Sequence, residues 1–261
     1  MLSTLLLSLA IVASSSTMAQ QTVTIQPLSG QTLGCFIQES NPDQFSGDAA
    51  SLSVGWDNFA TRSILTFDLT GARYAIDGVP AGSKIISATL TLYCETPVVD
   101  TYNINVYRMS DGFEVQPAVT TWNKKWDNYI ELVTEYWTTP GGEYDAYSEL
   151  SVAAPTAVGS FDVTGMVDMA QDALDLNGGD LILLFKAARE DTFQEELIFV
   201  GHPAYLPEST APILTIVYEP RAYVEDVPSD PPDDAEDVRD ITTTAGWVDV
   251  PIGSSRTHTP I

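Results

Sequence analysis

In the stretch SATLTLYCET, Ala88, Leu90, Leu92 and Cys94 alternate with Thr89, Thr91, Tyr93 and Glu95. A period of two puts the apolar set on one face of a strand and the polar set on the other. The same alternation places Ser63, Leu65, Phe67 and Leu69 of RSILTFDL on one side and pairs Ile104 with Val106 in YNINVYR. TVTIQ near residue 22 and LSVG near residue 51 are shorter segments of the same kind. DLILLFKA and PILTIVYE are apolar almost without a break, the pattern of strands covered on both faces.

One segment follows a different period. In VTGMVDMAQDALDLNGG, Met166, Ala170 and Leu174 recur every four residues. Thr164 stands where an N-cap is needed, and Asn177, Gly178 and Gly179 supply a stop. This predicts a single short helix near 164–175, plugging one end of a β-rich fold. Many short strands separated by Gly, Pro, Asn and Asp turns, with no repeat at a fixed period, predict an all-β domain. Its expected form is a two-sheet, jelly-roll-like β-sandwich spanning residues 20–219.

Both ends of the chain depart from that pattern. Residues 1–19 hold an apolar run followed by small residues, with Thr17 and Ala19 at the positions that precede a cut. They read as a secretory signal, although no Lys or Arg precedes the run. The run is too short to span a bilayer comfortably. Residues 220–240 are acidic, rich in Pro and poor in large apolar side chains, so they read as a linker. Residues 241–261 form a C-terminal extended tail in which Val248, Val250 and Ile252 share one face beside Trp247. Such a peptide suits strand addition to the edge of an identical subunit.

Charge narrows the partners. The chain carries 36 acidic and 11 basic residues, a formal net charge of −25. Such a surface repels nucleic-acid phosphates and anionic lipid. The expectation is no nucleic-acid partner and no membrane insertion once the signal is removed. A saline milieu, divalent cations or cationic partners suit it better. In the loop NPDQFSGD, Asp43, Asp48 and the Asn41 side chain offer oxygen ligands to Ca2+, though not at EF-hand spacing; a solvated acidic turn is the alternative. The two cysteines, Cys35 and Cys94, lie in strand-like runs. Export would permit a disulfide between them, and two buried free thiols are the other reading.

The stretch AVTTWNKKWDNY concentrates unusual residues. It holds two of the five tryptophans, Trp122 and Trp126, and two of the four lysines, Lys124 and Lys125. Several motifs fall into order around it: TRSILTFDL, AGSKIISATLTLY, NINVYRM, AVTTWN, FDVTGMV, GGDLILLF and TAPILTIVYEP. Taken together they make the chain resemble the DNRLRE domain family, which includes disaggregatase-related repeats and a group of carbohydrate-binding modules. The resemblance covers residues 22–219. It implies a jelly-roll-like sandwich on secreted, often modular proteins that sit beside polysaccharide-degrading enzymes, on cell surfaces or in viral structural proteins. The chain departs from the family where Phe113 and Glu114 stand in place of a tryptophan, and in the long segment from Lys124 to Ser160.

A Thr-Trp-Asn shared by members with varied partners reads as a structural pin, with Trp122 packed under its loop and Asn123 tying backbone groups. The residues beyond the pin are then the candidates for ligand contact: Lys124, Lys125, Trp126, Tyr129, Trp137 and Tyr144. Lysines pair with sugar carboxylates or sulfates, and aromatic rings offer flat apolar faces. No catalytic constellation stands out. His202 and His258 are the only histidines, and no nucleophile elbow, His-Glu-x-x-His or phosphate-cradling turn is present. The expected function is a non-catalytic, extracellular carbohydrate-binding or adhesion module for an anionic polysaccharide. The alternative is a structural assembly subunit of a virion or extracellular fibre, joined to its neighbours by the tail residues Trp247, Val248, Val250 and Ile252.

Overall fold

The computed structural model describes residues 19–26, 34–47, 50–74, 76–109, 119–128, 133–201 and 210–221. The chain divides into the units Met1–Ala222 and Tyr223–Ile261. All described residues lie in the first. The signal, linker and tail segments fall almost wholly outside them.

The strands in chain order are β1 (Gln21–Ile25), β2 (Gly34–Gln38), β3 (Ser51–Trp56), β4 (Ala60–Asp68), β5 (Lys84–Thr96), β6 (Asn103–Arg108), β7 (Lys124–Asn128), β8 (Val133–Tyr136), β9 (Leu150–Ala153), β10 (Gly159–Val163), β11 (Asp180–Ala187), β12 (Gln194–Val200) and β13 (Ile213–Glu219). Eleven of them form one antiparallel sheet in the order β1-β13-β5-β12-β3-β4-β11-β6-β9, with β10 on the other edge of β5 and β2 on the other edge of β4. The sheet curls on itself into a jelly-roll-like sandwich. The 13-residue β5 makes the curl possible. Its first part pairs with β13 up to Thr91, and its last part pairs with β12 at Cys94 and Thr96. The two layers foreseen from the sequence are therefore continuous through β12 and β3.

The core follows from alternation. Leu65 and Phe67 of β4, Leu90, Leu92 and Cys94 of β5, Leu181, Leu183 and Phe185 of β11, and Phe199 of β12 all point into one buried cluster. Phe199 centres it, with ring centroids 5.6 Å from Phe185 and 6.4 Å from Phe161. Each such side chain contributes about 1.5–3 kcal/mol by leaving water.

The opposite faces of β2, β4 and β11 carry Cys35 and Ile37, Ile64, and Ile182 and Leu184, which form a second, smaller cluster. This explains why β11 is apolar throughout: it is buried on both faces. The same expectation for β13 is corrected, because its burial alternates residue by residue. The cysteine question is also resolved. Cys35 belongs to the outer cluster and Cys94 to the inner one, and both are free thiols. Burial pushes the Cys35 thiol up to about 12. The bridge does not form.

The helix α1 spans Val167–Leu176 and buries Met169, Ala170, Ala173 and Leu174 against β5 and β11. It starts later than the sequence suggested. Met166 occupies the cap position and no side chain caps the helix, so Thr164 lies outside it. The exit is as read: Asn177 caps the end, Gly178 and Gly179 adopt positive φ, and Asn177 Nδ2 donates to the Asp180 carbonyl at 2.7 Å. Among the described residues no helix is long and apolar enough to cross a membrane.

Candidate functional site

The loop that drew notice in the sequence covers the outer cluster. Trp122 is 7% exposed, and the Arg62 guanidinium lies 4.7 Å from its ring centroid. Gly141 closes the other side. Its φ is +90°, its N–H donates to the Trp122 carbonyl at 2.6 Å, and a Cβ there would stand 2.8 Å from Trp122 Cζ2. Asn123 ties three segments together. Its N–H donates to the Pro42 carbonyl at 3.0 Å, its carbonyl accepts from Trp137 N–H at 3.0 Å, and its Nδ2 donates to Asp43 Oδ1 at 3.2 Å.

A charged cluster clamps this layer. Arg62 reaches Glu190 with Nε at 2.8 Å and Nη2 at 2.6 Å, a two-pronged contact, and donates from Nη1 to the Gly141 carbonyl at 2.6 Å. Lys186 Nζ lies 2.9 Å from Glu190 Oε2. Burial alone would raise the Glu190 pKa, but the hydrogen bonds and charges of Arg62 and Lys186 outweigh it and hold the carboxyl below its usual range. Asp68 behaves alike: burial is opposed by donors from Thr70 and the Arg73 backbone, and the net shift is downward. A carboxylate depressed in the folded state stabilises the fold above its unfolded pKa, and that stability is lost as pH falls through the folded value. The ordinary values are 4.5 for Glu190 and 3.8 for Asp68. Urea midpoints are therefore expected to be level from neutrality down to about pH 5 and to fall steadily below it. A midpoint unchanged at pH 3 would contradict the clamp.

These contacts revise the expected ligand loop. Trp137 is 4% exposed and its Nε1 donates to the Thr121 carbonyl at 2.9 Å, so it offers no face to a ligand. Tyr144 packs on Tyr107 with centroids 4.4 Å apart, and Lys186 Nζ lies 5.6 Å from its ring. Lys125 Nζ pairs with Glu135 at 3.6 Å. Lys124 is partly buried, and its N–H donates to Thr121 Oγ1 at 3.0 Å. Trp126 lies on β7, which pairs with β8, and its side chain is outside the described residues, as are Tyr129 and the tail residues Trp247, Val248, Val250 and Ile252. Asp43 is exposed and engaged by Asn123, while Asp48 is outside the described residues. No group of three or more metal-ligating side chains occurs among the described residues.

A different set of residues forms a groove of about 490 Å³ at one end of the sandwich. Three connections build it. The first is the tight β3–β4 turn, where Trp56 pairs with Ala60 and Asn58 takes a φ of 61°, a conformation Asn tolerates better than most residues. The second is the loop after β5, with Pro97 and Val99. The third is the start of β12, where a bulge sets Gln194 opposite Trp56 and Leu197 opposite Val54. Three steps on β12 match two on β3, so one residue is extra and the side chains of Glu195 and Glu196 are re-aimed. Glu195 Oε2 accepts from the N–H groups of Val99 and Asp100, and Tyr102 Oη donates to the Glu195 carbonyl, which fixes the second connection to the third. Burial, followed by the charges of Glu195 and Glu196, raises the Tyr102 pKa. Glu196 Oε1 accepts from Ser53 Oγ.

The groove carries large apolar side chains in the open: Phe59 is 52% exposed and Phe193 63%. Partly buried Trp56 lies between this groove and the outer cluster. Gln38, Ser40, Thr61, Thr96 and Gln194 add polar groups. The sequence signals were present in GWDNFA and DTFQEEL, where aromatics flank turn residues. They were missed because the groove exists only when three distant connections meet.

No family model matches the chain, and no curated protein matches it. Among solved structures it is similar to a chain of "Structure of infectious bursal disease virus Gx strain" at 10% identity and a TM-score of 0.16, covering 82% of this chain. The match spans 41% of the viral chain. A superposition of that quality bears on neither fold nor function.

Proposed function

We propose that this protein is a secreted, non-catalytic carbohydrate-binding β-sandwich of the kind the DNRLRE resemblance implies, and that the groove between Trp56, Phe59 and Phe193 is its glycan site. The observation that carries this reading is the exposure of Phe59 and Phe193 in a groove that polar side chains also line. Aromatic faces stack on sugar rings, and polar side chains take their hydroxyls. The groove itself suits an anionic glycan, the kind expected from the sequence, poorly. Lys125 faces Glu135, Lys186 faces Glu190, and the groove itself carries Asp57, Glu195 and Glu196.

The test is a titration of the secreted chain against a panel of oligosaccharides, repeated with Phe193→Ala. A groove-bound sugar should lose affinity by about tenfold, the scale of a stacking anchor worth roughly 1–2 kcal/mol. Undiminished binding by a folded Phe193→Ala variant would place the site elsewhere. The assembly alternative draws on residues 241–261, and light scattering with and without them tests it separately.

A further inference from the structure

We propose that the groove selects polysaccharides bearing unsubstituted amino groups, a glucosamine-type polymer rather than a neutral or anionic one; this rests on the carbohydrate reading above. The charged side chains that line the groove are all acidic. Asp57, Glu195 and Glu196 line it, and no Lys, Arg or His does so among the described residues. Each glutamate is held by one oxygen only, Glu195 through Oε2 and Glu196 through Oε1. The described residues leave the second oxygen of each without a partner. Carboxylates hydrogen-bonded in this way are fixed in place yet keep lone pairs for an incoming donor.

Gln194 supplies an independent observation. It lines the groove, it is 9% exposed, and its Oε1 has no hydrogen-bond partner among the described residues. A buried acceptor without a donor is costly, and a turn of this amide toward the groove would let a donor-rich ligand relieve the cost. Three aromatic residues stand beside the carboxylates, and ring faces attract ammonium groups as well as sugar rings. At longer range the net charge of −25 gathers polycations and excludes polyanions. A hydroxyl-only sugar uses the rings but leaves the carboxylates poorly matched. An amino sugar uses both.

The experiment is calorimetric titration of the full chain at mildly acidic pH with four hexamers: glucosamine, N-acetylglucosamine, a neutral glucan and lysine. Glucosamine hexamer should bind at least about tenfold more tightly than either uncharged sugar, the scale of one charge-assisted hydrogen bond. The double variant Asp57→Asn, Glu196→Gln should lose that preference. Asp57→Asn alone, at an exposed turn, should lose part of it without perturbing the fold. Asp168→Asn on α1, remote from the groove, should lose none. Tighter binding of a neutral or N-acetylated hexamer would overturn the amino-sugar class and leave the carbohydrate reading standing. Hexalysine binding equal to glucosamine and indifferent to Phe193→Ala would also overturn it, as general charge attraction. Binding of no oligosaccharide at all would overturn both.

Discussion

Arg62→Ala is expected to destabilise the domain by about 3 kcal/mol, near the low end of the range for breaking a buried ion pair. The loss has three parts. Glu190 keeps its depth in the protein but loses its two-pronged partner. The Gly141 carbonyl loses a donor at 2.6 Å. Trp122 loses the guanidinium that covers its ring. Lys186 remains 2.9 Å from Glu190, so the carboxylate is not wholly abandoned and the upper end of the range, about 5 kcal/mol, is not reached. Urea denaturation measures the total, and tryptophan emission reports the cover over Trp122. A midpoint equal to that of the parent chain would show that the clamp does not hold the loop. The paired variant Arg62→Met, Glu190→Met should recover only part of the loss, because it removes the stranded carboxylate but leaves Lys186 without its partner and the Gly141 carbonyl without its donor.

That clamp also shows what the sequence could and could not tell. Strands β4, β5 and β6 were legible because burial on a sheet face imposes a period of two on the residues themselves, and β11 and β13 because an apolar run of strand length stands out without one. The role of Trp122 was legible through a resemblance in its motif, while Trp137, read as a ligand contact, turned out to belong beneath the same loop. Nothing local distinguishes a tryptophan whose Nε1 meets a backbone carbonyl from one that faces solvent. The sheet's second covered face was visible as the unbroken apolar run of DLILLFKA, but what covers it comes from residues 109, 122, 137 and 144, scattered along the chain. The groove was illegible for a sharper reason. Its shape depends on an extra residue in β12, and a bulge leaves no periodic trace when the residues around it, Gln194 to Glu196, are polar in any case.

Gly55→Ala tests that bulge directly. Gly55 is buried on β3 opposite the irregularity, and a Cβ there would meet Glu196 Cα at 2.9 Å, the Glu195 carbonyl oxygen at 3.1 Å and the Gln194 carbonyl oxygen at 3.3 Å. All three are backbone atoms, so no flexible side chain can turn aside. One added methyl in a packed site of this kind costs about 1–3 kcal/mol and moves the backbone it meets. The segment it would move carries Gln194, Glu195 and Glu196, and through Glu195 and Tyr102 it holds the loop after β5. Gly55→Ala should therefore lower the urea midpoint and weaken glycan binding together, although residue 55 brings no side chain of its own to the ligand. Phe193→Ala should weaken binding with little change in the midpoint, since its ring is mostly in solvent. If Gly55→Ala left both stability and affinity intact, β12 would not pass as close to β3 as these distances require, and the groove would owe its shape to something other than the bulge.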